Sequence, residues 1–280
     1  MIDFKNNWSI IDIVDFSKIP QRKVVLFLSQ KGKKPLLFRL VKYLVRIFSP
    51  KMKVIGYENL SEEPCIIIGN HSQMYGPIAC ELYFPENYYT WCAAPMMKLK
   101  EVPSYAYEDF WSQKPKALRP FFKLLSYLIA PISVLIFNNA RTIAVFRDKH
   151  LLNTFKDSIS KLKSGNNIVI FPEQDIKRNH IVYEFQEGFV DIARLYYKRT
   201  GKELSFVPLY IAPKLKKMFL GKPIKFSADT PAPQERRRIC DYLMNEITNI
   251  AENLPEHTVV PYRNIPKRLY PKNIRKDAKK

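Results

Sequence analysis

The sequence predicts an α/β fold: a mostly parallel sheet flanked by helices, preceded by an amphipathic helix. Three observations predict it. Short, wholly apolar runs such as Cys65–Ile68 and Asn167–Phe171 have the length and composition of strands buried on both faces. Between them lie segments whose apolar residues recur with the 3.6-residue period of a helix. The chain is 280 residues long and 46% hydrophobic, enough for a substantial core, so wholesale disorder is excluded.

The elements follow in order. Residues 1–20 are mixed and carry no clear pattern. Leu36–Phe48 (LLFRLVKYLVRIF) starts after Pro35 and ends before Pro50, and places Arg39, Lys42 and Arg46 on one narrow arc of an otherwise apolar wheel. Cys65–Ile68 reads as a strand ending at Gly69, Tyr88–Ala94 as an aromatic strand, and Thr142–Phe146 as a third. Leu124–Phe137 is a 14-residue apolar stretch with Pro131 inside it, a length that suits a buried or re-entrant segment better than a membrane span. Leu151, Phe155, Ile159 and Leu162 mark a helix closed by Gly165, and Asn167–Phe171 a buried strand broken by Pro172. Phe185, Phe189, Ile192 and Tyr196 mark a helix ending at Gly201. Phe206–Ile211 reads as a strand whose Pro208 implies an edge or a bulge. Ile224–Phe226 is a short last strand, and residues 234–254 form a helix with Ile239, Leu243, Ile247, Ile250 and Leu254 on one face. Strands alternating with helices imply the parallel sheet. Three regions follow: a basic, membrane-contacting segment over 1–54, an α/β domain over 55–255, and a basic, proline-rich extended tail over 256–280.

The net charge of +20 is concentrated at the two ends. Residues 21–54 carry ten basic residues and no acidic one, and residues 261–280 carry eight against Asp277 alone, which leaves only +3 elsewhere. Such flanks seek a polyanion. The wide apolar face of Leu36–Phe48 favours an anionic membrane surface, where each basic residue is worth on the order of 1 kcal/mol, over nucleic acid. The N-terminal MIDFKNNWSI lacks a charged region leading into an apolar run, so no secretory signal is expected and the protein is placed peripherally on the cytoplasmic face. Eight glycines leave no dinucleotide or phosphate-loop fingerprint, and four cysteines (Cys65, Cys80, Cys92, Cys240) show no metal-ligand spacing.

In open α/β sheets chemistry gathers at the carboxyl ends of strands. Here those ends carry GNHSQMYGP with His71, VFRD with Arg147, and FPEQDIKRNH with Glu173. A histidine, an arginine and a glutamate on one rim suit proton abstraction beside an anionic substrate. Each has a plainer reading as well: Asn-His as turn chemistry, Arg147 paired on a rim, Glu173 capping the turn after Pro172.

Five blocks in order resemble the glycerolipid acyltransferases of the 1-acylglycerol-3-phosphate acyltransferase type. Asn70-His71 begins the family's Asn-His-x4-Asp, RTIAVFR ends on Arg147, and Phe171-Pro172-Glu173 is followed by Phe185-Gln186-Glu187-Gly188. Val207-Pro208-Leu209-Tyr210-Ile211 and Gly221-Lys222-Pro223-Ile224 complete the set, over roughly residues 55–230. The resemblance implies transfer of a fatty acyl group from acyl-CoA or acyl carrier protein to a hydroxyl of a lysophospholipid or glycerol phosphate. His71 is the implied general base, Glu173 orders the acceptor site, and Arg147 with Lys177 or Arg178 binds phosphate. No metal or prosthetic group is implied, because the thioester is already activated.

Two departures accompany it. Gly76 stands where the family has its aspartate, and Gln174 and Ile176 stand where it has glycine and arginine. Either another acid orients His71, or the rate is low, or the protein binds lipid on the same fold without turnover. Asp175 is the favoured substitute acid. Gln73 or Tyr75 could hold the imidazole by a neutral bond, and Glu81 would be carried away by a helix starting near residue 73. If the site is otherwise intact, Gly76→Asp is expected to raise activity.

Overall fold

The structure, a computed structural model, describes residues 34–84, 87–112, 114–148 and 150–274. Residues 1–33, which hold the N-terminal segment and the first part of the basic run 21–54, and the last six residues of the tail lie outside them.

Leu36–Phe48 is helix α1. Strand β1 (Lys53–Ile55) follows, then β2 (Cys65–Gly69), helix α2 (Tyr75–Tyr83) and β3 (Tyr88–Ala93). A short helix α3 (Val102–Ala106) runs directly into a π-helical turn, Tyr107–Trp111. Helix α4 (Arg119–Asn139) leads to β4 (Thr142–Val145), α5 (Leu151–Lys163) and β5 (Asn167–Ile170). Strands β6 (Glu173–Arg178) and β7 (Tyr183–Phe185) precede α6 (Asp191–Thr200), β8 (Ser205–Ala212), β9 (Lys217–Leu220), β10 (Ile224–Lys225) and α7 (Ala232–Glu252).

The main sheet has the order β1-β9-β8-β2-β5-β3-β4, with β10 on β8. Pairs β1/β9, β2/β8, β2/β5, β3/β5 and β3/β4 are parallel, whereas β8/β9 and β8/β10 are antiparallel. Strands β6 and β7 form a separate two-stranded sheet. The α/β class and its largely parallel sheet thus hold. The central strands bury both faces, as their unbroken apolar runs require. Ile66, Ile68, Ile168, Ile170, Phe206 and Tyr210 pack on one side with residues of α5, α6 and α7. Cys65, Ile67, Val169, Val207, Leu209 and Ile211 pack on the other with Ala79 and Cys80 of α2.

Several elements differ from the sequence reading. Strand β8 is interior rather than an edge. Pro208 is tolerated there because its carbonyl, and with it its missing donor, faces Gly221 (2.8 Å), just beyond the end of the β9 ladder, so only the single reciprocal bond to Gly221 is forgone and the pairing with β2 is kept. Phe185 belongs to β7, not to the helix that follows, and β9 carried no readable signal. Leu124–Phe137 is part of a 21-residue helix, and Leu124, Leu128 and Ile132 are exposed rather than core. Among the described residues, one helix, Lys116–Asn139, is long and apolar enough to cross a membrane. Its inner side packs on α3 through Ala130, Val134, Val102 and Ala106, and it also meets α1.

Residues 255–274, expected as an extended tail, fold back onto the domain. Val259 and Val260 are buried. The buried His257 ring meets the Tyr210 hydroxyl (2.7 Å) and the Pro255 carbonyl (2.8 Å). Asn273 donates to the Ala251 and Leu254 carbonyls and accepts from the His257 N–H. An antiparallel bridge between Thr258 and Lys272 brings the two ends of the segment together, so it forms a closed strap.

Candidate active site

His71 sits two residues past β2, at the carboxyl end of the parallel strands. Asn70, buried beside it, ties this loop to β8: its side-chain oxygen accepts the Ile211 N–H (2.6 Å) and its amide donates to the Ile211 carbonyl (3.1 Å). The same amide donates to the Ser72 hydroxyl (2.8 Å). Ser72 and Gln73 have φ of 46° and 55°. Two successive non-glycine residues in the left-handed region cost on the order of 1–3 kcal/mol each and persist only where their surroundings impose them.

This unusual turn aims the Gln73 main-chain carbonyl at Nδ1 of His71, with which it forms a hydrogen bond. A carbonyl can only accept, so Nδ1 carries the proton and Nε2 keeps its lone pair. Burial lowers the His71 pKa, against which the bond to Gln73 raises it. The ring is therefore neutral at pH 7. It lies edge-on to Phe171 and to Tyr262, each with centroids 5.3 Å away.

Glu173 is 5% exposed, and both its oxygens are occupied by main-chain donors, His71 N–H (2.6 Å) on one and Tyr183 N–H (2.8 Å) on the other. Its place is beneath the histidine loop, joining β2 to β7; it orders that loop rather than meeting an acceptor directly. Burial raises its pKa to about 7, while the Tyr183 and His71 N–H groups and nearby Arg178 pull it down.

The remaining residues singled out from the sequence are scattered. Asp175 pairs with Arg263 (3.3 Å) and lines the same cavity as His71, but the group bonded to the imidazole is the Gln73 carbonyl. The expectation that Asp175 orients the ring is thereby corrected: the orienting group is neutral and comes from the loop's own backbone. Gln73 takes part, as anticipated, though through its main chain. Glu81 is carried off by α2 and pairs with Lys42 of α1 (2.6 Å). Lys177 is exposed. Arg178 turns onto the Tyr183 ring (5.3 Å) and the His180 carbonyl (3.3 Å), away from a role as phosphate ligand. Arg147 is exposed beyond β4 and close enough to Asp109 and Tyr262 to lower the pKa of each against the upward push of burial.

Gly76 occupies a place where nothing larger fits. A Cβ there would lie 2.5 Å from the His71 carbonyl oxygen, 3.0 Å from Phe171 and 3.2 Å from the Asn70 oxygen. Its N–H donates to that His71 carbonyl (3.1 Å). The turn has closed down on the glycine, so the expected gain from Gly76→Asp is replaced by a clash.

Two cavities meet at His71. One, about 710 Å³, is the more polar of the two, lined by Gln73, Tyr75, Tyr105, Asp109, Asp175 and Arg263 together with apolar side chains such as Met52 and Ile78. The second, about 380 Å³, is almost wholly apolar and runs between α1, α2, β3 and α4, past Val41, Trp91, Met96, Ile129 and Phe137. His71, Met74, Ile78, Tyr105, Asp109 and Phe110 border both. The sequence did not single out Tyr105, Asp109, Tyr262 or Arg263. The first two lie on or beside the π-helical turn, which has no sequence signature, and the last two on the strap.

Comparison with protein-family models gave no match, and comparison with curated proteins gave none. Among solved structures, the fold is similar to the crystal structure of the 1-acyl-sn-glycerophosphate (LPA) acyltransferase PlsC from Thermotoga maritima. The TM-score is 0.47 and the identity 13%, over 78% of this chain and 81% of that one. A likeness of that size identifies no residue of this chain.

Proposed function

We propose that the protein is an acyltransferase that moves a fatty acyl group from acyl-CoA or acyl carrier protein to a hydroxyl of a lysophospholipid or glycerol phosphate. One observation carries the reading. A neutral imidazole, held in the Nδ1–H tautomer, sits where a polar cavity meets an apolar one. Nε2 takes the proton of the acceptor hydroxyl as its oxygen attacks the thioester carbonyl carbon. The carbon–sulfur bond then breaks, and the departing thiolate takes the proton from the imidazolium. The thioester supplies its own activation, so no cofactor is needed. The apolar cavity suits the acyl chain.

Within this reading Arg263 and Arg147, rather than Lys177 and Arg178, are the cations for an anionic headgroup. Glu108, Asp109 and Asp175 share the polar cavity with Arg263 and weaken its pull on a phosphate. Exposed apolar residues on α1 (Leu36 79%, Phe48 85%) and α4 (Phe121 60%, Leu128 57%) support a peripheral seat on an anionic membrane.

The test presents purified protein with acyl-CoA or acyl carrier protein and, separately, lysophosphatidate, glycerol phosphate or a zwitterionic lysophospholipid in vesicles. Turnover with at least one acceptor, lost in His71→Ala, is the expected result. Turnover unaffected by that change removes the histidine from the mechanism. The neutral partner of His71 favours a second reading, lipid binding without catalysis. Co-purifying lipid and no turnover with any donor would select it.

A further inference from the structure

We infer that Gln73 and Tyr270 are positioning residues for the base, and that the C-terminal strap thereby replaces an orienting acid with a chain of neutral hydrogen bonds. The inference rests on the acyl-transfer reading only for its kinetic consequence; the geometry stands by itself.

The strap reaches the His71 loop at several points. Tyr270 hydroxyl accepts from Gln73 Nε2 (2.8 Å), and the Arg263 carbonyl lies 3.4 Å from the same nitrogen. Tyr262 packs its ring on the imidazole, Arg263 pairs with Asp175, and Asn264 donates to the Phe110 carbonyl (3.3 Å). Each left-handed residue of the loop thus has its own clamp: Asn70 holds the Ser72 hydroxyl, and the strap holds the Gln73 side chain. With that side chain fixed, the Gln73 carbonyl faces Nδ1. Without it, the residue relaxes toward ordinary φ, the carbonyl turns away, and the tautomer of the ring is no longer imposed.

This accounts for three features together. Gly76 lets the loop close so tightly that no acid fits at that position. The strap is fastened at its base by His257 and Asn273, far more firmly than a disordered tail would be. Its side-chain bond to the histidine loop, through Tyr270, reaches Gln73, the residue that touches the base, rather than the base itself.

The experiment uses the full-length protein with ¹⁵N-labelled histidine, the His71 signals being assigned from a His71→Gln spectrum. Wild type is expected to show the Nδ1–H tautomer. Tyr270→Phe, which removes a single oxygen, and Gln73→Ala should each shift His71 toward a mixture containing the Nε2–H form. The His257 signals, reporting the strap's anchor, should stay unchanged in both. Where turnover is present, kcat falls about tenfold or more with KM for the acyl donor unchanged, the signature of a misplaced base. An unaltered His71 tautomer in folded Tyr270→Phe overturns the inference, as does a loss in KM alone. A tautomer shift in the variants of a protein whose wild type turns over no acyl donor supports the positioning and defeats the acyl-transfer reading, so the two fail separately.

Discussion

At the scale of single residues, the site turns on what a neutral carbonyl can and cannot do for an imidazole. The Gln73 carbonyl fixes the tautomer as well as a carboxylate would, but it carries no full charge to stabilise the imidazolium formed during proton transfer. Burial keeps the His71 pKa below the ordinary histidine value, and the bond to Gln73 raises it only in part. The ring is therefore neutral at neutral pH, and if His71 is the base as proposed, the acid limb of kcat/KM should lie below the ordinary histidine range. A limb centred well above 6.5 would mean that a carboxylate reaches the ring. Gly76 makes the second prediction at this scale. Gly76→Ala must displace the His71 carbonyl or Phe171, so it should cost about 1–3 kcal/mol in chemical denaturation and lower activity. Gly76→Asp should be worse on both counts. Activity raised by the aspartate would show that the turn opens easily, and the account of the site would have to change.

Among the elements, α1 and α4 carry the membrane question. Phe38 anchors α1 to the domain, while Leu36, Leu37, Leu40, Leu44, Ile47 and Phe48 remain exposed beside the exposed face of α4. Burying such side chains in a bilayer is worth on the order of 1.5–3 kcal/mol each relative to water. Leu40→Asp with Leu44→Asp should weaken sedimentation with anionic vesicles at least tenfold while leaving thermal stability unchanged. Equal binding by the double variant would assign attachment to another part of the chain. The helix itself was plain in the sequence because its prolines, its cationic arc and its apolar period agree. The same holds for β2 and β5, whose runs are too short and too apolar for anything but a buried strand. Strand β8 was misplaced because Pro208 signals an edge, whereas its lost donor falls where the ladder to β9 has ended. The strap was illegible for a different reason. Prolines and cations gave its composition the look of a tail, and its order comes from two buried side chains, His257 and Asn273, whose partners lie as far away as Tyr210. Of the candidate site, the ordered motifs pointed to the loop of His71 and to Glu173, which the structure brings together, but not to the close fit around Gly76. The orienting carbonyl could not be read either, because a backbone atom leaves no trace in residue types and the Gln73 side chain beside it is held by Tyr270, from the far end of the chain.

For the whole molecule, Glu173 joins the site to global stability. Its carboxylate links the end of β2 to β7, and so the main sheet to the two-stranded one. An unfolded chain ionises this group near 4.5, whereas burial raises it to about 7 in the folded protein. Between those values the folded state holds a proton that the unfolded state has lost. The contribution of Glu173 to stability is thus complete below pH 4.5 and is lost as pH rises through about 7. At about 1.4 kcal/mol per unit, the loss across the window is roughly 3 kcal/mol. Other groups also titrate, so the quantity to measure is the difference between wild type and Glu173→Gln in urea unfolding at several pH values. The variant keeps one acceptor oxygen and forfeits the other, a constant penalty. It cannot ionise, so relative to wild type it should gain stability steadily from pH 4.5 to 7.5. Parallel curves for the two proteins would mean that the His71 and Tyr183 N–H groups stabilise the carboxylate enough to cancel its burial. Glu173 would then be an ordinary ionised clamp, and acidification to pH 5 would leave the histidine loop in place.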